Sequence, residues 1–175
     1  MKKVFIASLA VLLAGPAMAE STAEKTGINS LIGVAPKTQD FVQEADTSDM
    51  FEIESSKLAL ERSDAATKTF AQQMVTDHEK TSSELKALVS SGKVQAQLPS
   101  TMTKAQQGML AKLKGLQGDD FIKQYHSDQE SVHKDAVDLF KRYGDGGDNA
   151  ELKAWASSTR PALEHHLQMA KDLNR

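Results

Sequence analysis

Cysteine is absent from all 175 residues, which excludes disulfide frameworks, thiolate zinc sites, iron–sulfur clusters and cysteine nucleophiles together. Any reactive group must therefore offer oxygen or nitrogen. Basic residues form no clustered face: 21 Lys and Arg stand against 24 Asp and Glu, a net charge of −3. Phosphate-backbone binding then has no electrostatic footprint, and nucleic acid is not an expected partner. A nucleophile elbow, a P-loop and a dinucleotide-binding glycine pattern are all missing. The glycines at 144, 146 and 147 follow a helical pattern rather than a strand, so they read as a turn. No catalytic residue and no organic cofactor site are assigned on these grounds. Nor does any stretch of β-branched residues alternate with polar ones as a half-buried strand would. The composition that remains, 39% hydrophobic and 26% charged, suits one soluble globular domain.

The first 19 residues read as an address. Lys2 and Lys3 precede an apolar run from Val4 to Ala14, followed by Gly15, Pro16 and the small-residue pattern Ala17, Met18, Ala19. The run is shorter than the ~20 residues that span a bilayer, and no cysteine follows to accept a lipid. A secretory signal peptide cleaved between Ala19 and Glu20 is expected, with a periplasmic or secreted product and no stable membrane insertion. Loss of the two lysines takes the net charge from −3 to −5. Residues 20–37 mix Ser, Thr, Gly and Pro without a sustained period and read as a flexible leader.

From residue 38 to 175 the apolar residues recur at helical intervals. The first helix, about 38–62, has Phe41, Ala45, Ser48, Glu52, Ser55 and Ala59 on one face. The second, about 64–90 with Ser63 as a cap, lines up Thr67, Ala71, Met74, His78, Thr81 and Leu85. A shorter piece from about 103 to 116 reads as a crossover. The fourth helix, about 118–143, turns Phe121, Tyr125, Gln129, Val132, Ala136, Leu139 and Tyr143 inward, with His133 beside that row. After a turn at residues 144–149, the last helix presents Leu152, Ala156, Thr159, Leu163, His166 and Ala170. Pro161 removes one backbone donor and predicts a kink above His166. Four long helices with one crossover make an all-α four-helix bundle.

Each long helix thus carries one ionisable residue in or beside an apolar seam: Glu52, His78, His133 and His166. Burial of an unpartnered carboxylate or imidazole costs several kcal/mol, so each must be paired, hydrated or coordinated. Two explanations follow. In one, the groups form a structural network, with Glu52 accepting from His78, and Tyr125 or Gln129 satisfying His166. In the other they hold one transition metal, zinc, copper, manganese or iron, between helices. Counted from the turns, Glu52 and His78 come within about a turn of the same level, whereas His166 falls level with Tyr125 and Gln129 rather than His133. Glu130 and His133 have the spacing of carboxylate-bridged di-iron helices, but Glu130 turns away from the apolar face, and Val75 and Leu163 stand where further glutamates would be needed. His126, His165 and Asp77 read as solvent-facing, and the scattered methionines as core filler.

The segments Phe41 to Ala45, Glu52-Ile53, Lys57 to Ala59, Phe70 to His78, Phe121 to Tyr125 with His133, and Pro161 to Leu163 with His166-Leu167 resemble the secreted bacterial ferritin-like family known as domain of unknown function 4142. The resemblance spans roughly residues 38–173. Arg160 replaces a usual leucine, and Ser48 and Asp49 replace glycines. It implies a ferritin-like bundle and an exported protein, and it points to Glu52, His78, His133 and His166 as the family's polar positions. It implies no defined activity. Three kinds of function stay open: a metal-binding or stress-protective bundle, a metal-free structural or interaction protein with an unassigned protein partner, and an oxidoreductase acting on oxygen, peroxide or metal ions.

Overall fold

The computed structural model describes residues 28–175, with side chains from Ser30 onward; the expected signal peptide and its cleavage site lie outside these residues. Among the described residues there are helices and no strands, in the order α1 (Ile28–Leu31), α2 (Thr38–Arg62), α3 (Ala65–Ser90), α4 (Lys104–Gly115), α5 (Gly118–Gly146) and α6 (Ala150–Leu173). None of them is long and apolar enough to cross a membrane.

Local signals start the helices. Asp64, rather than Ser63, caps α3 by accepting from Thr67 N at 2.8 Å. Thr103 and Gln106 form a reciprocal capping box on α4, and Asn149 accepts from Leu152 N to start α6. Within the leader, where the sequence pattern indicates no structure, α1 forms one helical turn. Ser30 Oγ donates to Asp138 Oδ2, and Arg142 Nη1 donates to the Val34 carbonyl. Residues 28–37 are thereby held against α5.

Two tight hairpins, α2–α3 and α5–α6, build the bundle. Cross-contacts set their mutual orientation. Phe41, near the start of α2, stacks on Tyr143 near the end of α5 at 4.2 Å between ring centroids, while Ser56 near the end of α2 bonds Tyr125 near the start of α5. Trp155, early in α6, bonds Glu84 late in α3. Every neighbouring pair around the bundle is therefore antiparallel, and the diagonal pair α3 and α5 runs parallel. Joining parallel helices requires a connection as long as the bundle. Residues 91–117 supply it, with α4 lying across α2 and α5.

The interior is divided. One apolar core holds Phe41, Leu85, Leu139, Phe140, Tyr143 and Leu152. A second, toward the opposite end, holds Phe51, Phe70, Met74, Leu113, Phe121 and Tyr125. Between them lies a band of buried polar side chains that includes Asp49, Glu52, Ser55, His78, Gln129, His133 and His166.

One boundary differs from expectation in a way that matters for this band. Helix α5 continues through Gly144 to Gly146 instead of stopping at Tyr143. Gly144 belongs to a close helix crossing rather than to a loop, since a Cβ there would lie 2.8 Å from Ser157 Oγ on α6, while one on Gly146 would lie 3.2 Å from Ala35 Cβ. The reversal itself is confined to residues 147–149.

A candidate metal centre between two apolar cores

The site follows from register. About the α2–α3 turn at residues 63–64, Asp49 and His78 are equidistant, with Glu52 one turn nearer. His78 Nδ1 accordingly donates to Asp49 Oδ1 at 2.8 Å rather than to Glu52. Asp49 Oδ2 accepts from Thr81 Oγ1 at 2.8 Å and Ser82 Oγ at 3.2 Å, so the carboxylate is itself fixed. About the second turn, centred on Asp148, His166 mirrors residue 130. With α5 extended to Gly146, this brings His166 within a turn of His133, and their ring centroids lie 5.4 Å apart. The sequence expectation that His166 sits level with Tyr125 and Gln129 places the turn too early.

All four seam residues are at most 2% exposed. One ring nitrogen from each of His78, His133 and His166 lies within 4.8 Å of the others. The second nitrogens are engaged: His78 by Asp49, His133 Nδ1 by the Gln129 carbonyl at 2.9 Å, and His166 Nε2 by Asp77 Oδ2 at 2.8 Å. This is how metal-binding imidazoles are oriented, each held through its far nitrogen by an oxygen acceptor so that the near one offers a lone pair. His78 Nε2 and His133 Nε2 face each other at 3.4 Å, close to the spacing of about 3.3 Å between two nitrogens on one tetrahedral ion with metal–nitrogen bonds of about 2.05 Å. His166 Nδ1 is buried without a partner.

Lone pairs gathered so closely need a proton or a cation between them. Burial acts to lower the His78 pKa, but the bond and charge of Asp49, with Glu52 and Asp77, outweigh it and leave the pKa raised. The His78 Nε2–His133 Nε2 pair at 3.4 Å has room for one proton between the two nitrogens. Burial, with the His78 charge, holds His133 down to about 3. Burial and His78 likewise lower His166, against Asp77.

Glu52 stands beside the three rings rather than among their converging nitrogens. Its Oε1 is 3.7 Å from His133 Nδ1, and neither carboxylate oxygen has a hydrogen-bond partner. Burial pushes its pKa up to about 7, against the pull of His78 and the Gln129 amide. The other expected network partners are occupied elsewhere. Gln129 Nε2 donates to Ser55 Oγ, and Tyr125 OH pairs with Ser56 Oγ.

Two acceptors escape the sequence pattern. Asp49 stands where the resemblance has a glycine, and Asp77 lies off the apolar row, where solvation is the expectation. A residue that steadies a ligand belongs at the edge of a helix face, so an acid one residue before His78 and another 29 residues before it are the available signals. His165 is exposed, as expected; His126 is half-buried and pairs with Thr67 Oγ1 away from the centre. Glu130 accepts from Asn174 and takes no part.

Residues 23–173 match the family "Domain of unknown function (DUF4142)". The chain belongs to that family. No curated protein matches significantly. A solved structure described as "CopM in the Cu(II)-bound form" superposes on this member of the DUF4142 family with a TM-score of 0.67. The alignment has 16% identity and covers 81% of this chain and 97% of that one. At that identity the likeness shows a shared helical bundle fold.

Proposed function

We propose that this DUF4142 protein is an exported metal-binding bundle that holds one divalent transition ion through His78, His133 and His166, with Glu52 beside the rings as the compensating negative charge. The carrying observation is the arrangement of the three imidazoles, each tethered at its far nitrogen and converging at the near one. An ion there gives His166 Nδ1 a partner and balances the buried charge of Glu52. The donor set, imidazole with carboxylate and no thiolate, ranks copper(II) above zinc(II) and both above iron(II) and manganese(II). Copper(II) is also the ion bound by the CopM structure that shares the fold. The single long crossover joining parallel helices supports the ferritin-like reading of the architecture.

Burial favours sequestration over turnover. Apolar cores close the band on both sides, and a redox or hydrolytic centre needs an open position that a substrate can reach. We assign export to the signal peptide of residues 1–19 and cleavage after Ala19, so that the bundle meets ions entering the cell envelope.

Elemental analysis of untagged protein, exposed to each ion and dialysed, is expected to find about one equivalent of copper or zinc per chain. His78→Ala and His166→Ala are expected to lose it while keeping their helical circular dichroism, and His165→Ala to retain it. Protein that retains no ion, or histidine variants that retain as much as wild type, would overturn the assignment in favour of a structural polar network.

A further inference from the structure

An ion bound at a centre this enclosed needs a route. A cleft of about 250 Å³ opens between α3 and α6, lined by Asp77, Lys80, Thr81 and Glu84 on one side and by Thr159 and Ala162, with Ser158, on the other. Two of its lining residues belong to the apparatus that holds the histidines. Asp77 accepts from His166 Nε2 at 2.8 Å while its side chain remains 38% exposed. Thr81 donates to Asp49, the acceptor of His78. The opposite wall spans Pro161, which cannot donate to the Ser157 carbonyl and so leaves the helix one backbone bond short at the cleft. Larger clefts, of about 390 Å³ around His126 and about 380 Å³ beside Trp155, are lined by no residue bonded to a seam histidine.

Charge at the mouth is unequally committed. Glu84 is held by the Trp155 indole at 2.9 Å and lies 3.9 Å from Lys80. Asp77 has its Oδ2 on His166 and no lysine or arginine within 4 Å among the described residues.

From this geometry we propose that the α3–α6 cleft is the port through which the ion enters and leaves, with Asp77 as the carboxylate that meets it first and passes it to His166. The inference rests on the metal-binding reading above. It makes Asp77 a positioning residue with two tasks, orienting the His166 ring and attracting the cation. A desolvated centre reached through such a cleft exchanges its ion at a rate set by the opening and its charge rather than by the ligands alone.

The test separates rate from affinity. Ala162 is exposed on the cleft wall, so Ala162→Trp can cover the opening without entering the core; Ala87→Trp, beside a different cleft on α3, is the control. Loading is followed by stopped-flow with copper(II), or zinc(II) if that is the ion retained, and release by capture on a chromophoric chelator. Ala162→Trp is expected to slow loading and release by the same factor, at least tenfold, with Kd within twofold of wild type and Ala87→Trp unchanged. Asp77→Asn, which keeps an oxygen acceptor for His166 but removes the charge, is expected to slow loading and flatten its dependence on ionic strength. Wild type that binds the ion while Ala162→Trp exchanges it at the wild-type rate refutes the port and leaves the site intact. Wild type that binds no ion refutes both.

Discussion

Replacing Glu52 by Gln isolates the electrostatic cost of burying its carboxylate. The carboxyl is 1% exposed, both oxygens lack partners, and its pKa is raised from 4.5 to about 7, chiefly by burial. Below pH 4.5 the folded and unfolded chains both hold this proton, and Glu52 imposes no ionisation penalty. Between 4.5 and about 7 the unfolded chain releases it while the folded chain keeps it, so stability falls as pH rises. Above that range the loss is complete. Each tenfold tightening of the proton on the folded chain is worth about 1.4 kcal/mol, so the loss amounts to roughly 3 kcal/mol. Gln keeps the shape and removes the charge. Urea unfolding of metal-free protein is expected to find Glu52→Gln equal to wild type near pH 4.5 and more stable by on the order of 3 kcal/mol near pH 8. His133 contributes the opposite slope: its folded pKa of about 3 means that stability is lost as pH falls below 6.5. It lies 3.7 Å from Glu52 and titrates with it, so the comparison near pH 8, above the ordinary imidazole range, is the one that isolates the carboxylate. With metal bound the order reverses, because the carboxylate gains a cation and Gln offers it only a neutral oxygen. A metal-free Glu52→Gln protein no more stable than wild type near pH 8 would refute the reasoning.

Asp49→Ala removes the acceptor of His78 Nδ1 and strips Thr81 and Ser82 of their shared partner. Metal affinity is expected to fall about 10–100-fold, with the ion count at saturation unchanged; competition against a chelating chromophore measures it, and unchanged affinity would contradict the orienting role. Gly147→Ala would place a Cβ 2.5 Å from Tyr143 Cε1 and 2.6 Å from the Tyr143 carbonyl oxygen. Tyr143 is fully buried against Phe41 and pairs with Thr38, so it cannot move aside freely. A cost of about 1–3 kcal/mol is expected, read as a melting temperature lowered by about 2–4 °C per kcal/mol; an unchanged transition would show that the turn relaxes.

The helices themselves are legible in the sequence because their apolar spacing is a local property. The first long helix, α2, runs from Thr38 to Arg62 as its pattern indicates, and Phe41, Ala71, Met74, Tyr125, Leu152 and Leu163 are buried as their rows require. The four seam residues are legible for the same reason, since an ionisable side chain in an apolar row stands out. Their partners do not. Asp49 and Asp77 become visible only when α3 is laid against α2 and α6, which depends on turn positions to within one residue. Gly144 shows the difficulty: in sequence it belongs to a glycine-rich turn, whereas packing against Ser157 makes it helical. That change of boundary alone moves His166 toward His133.

The division of the interior into two apolar blocks has a mechanical consequence. The rods are continuous from end to end, but across the waist the emptied protein has few greasy contacts and a set of mutually repelling lone pairs and charge. Each block can then loosen with little penalty to the other. An ion clamped by three rods at that waist would act as a rivet, making the two ends melt as one body and leaving occupancy written in how far a disturbance at one tip travels.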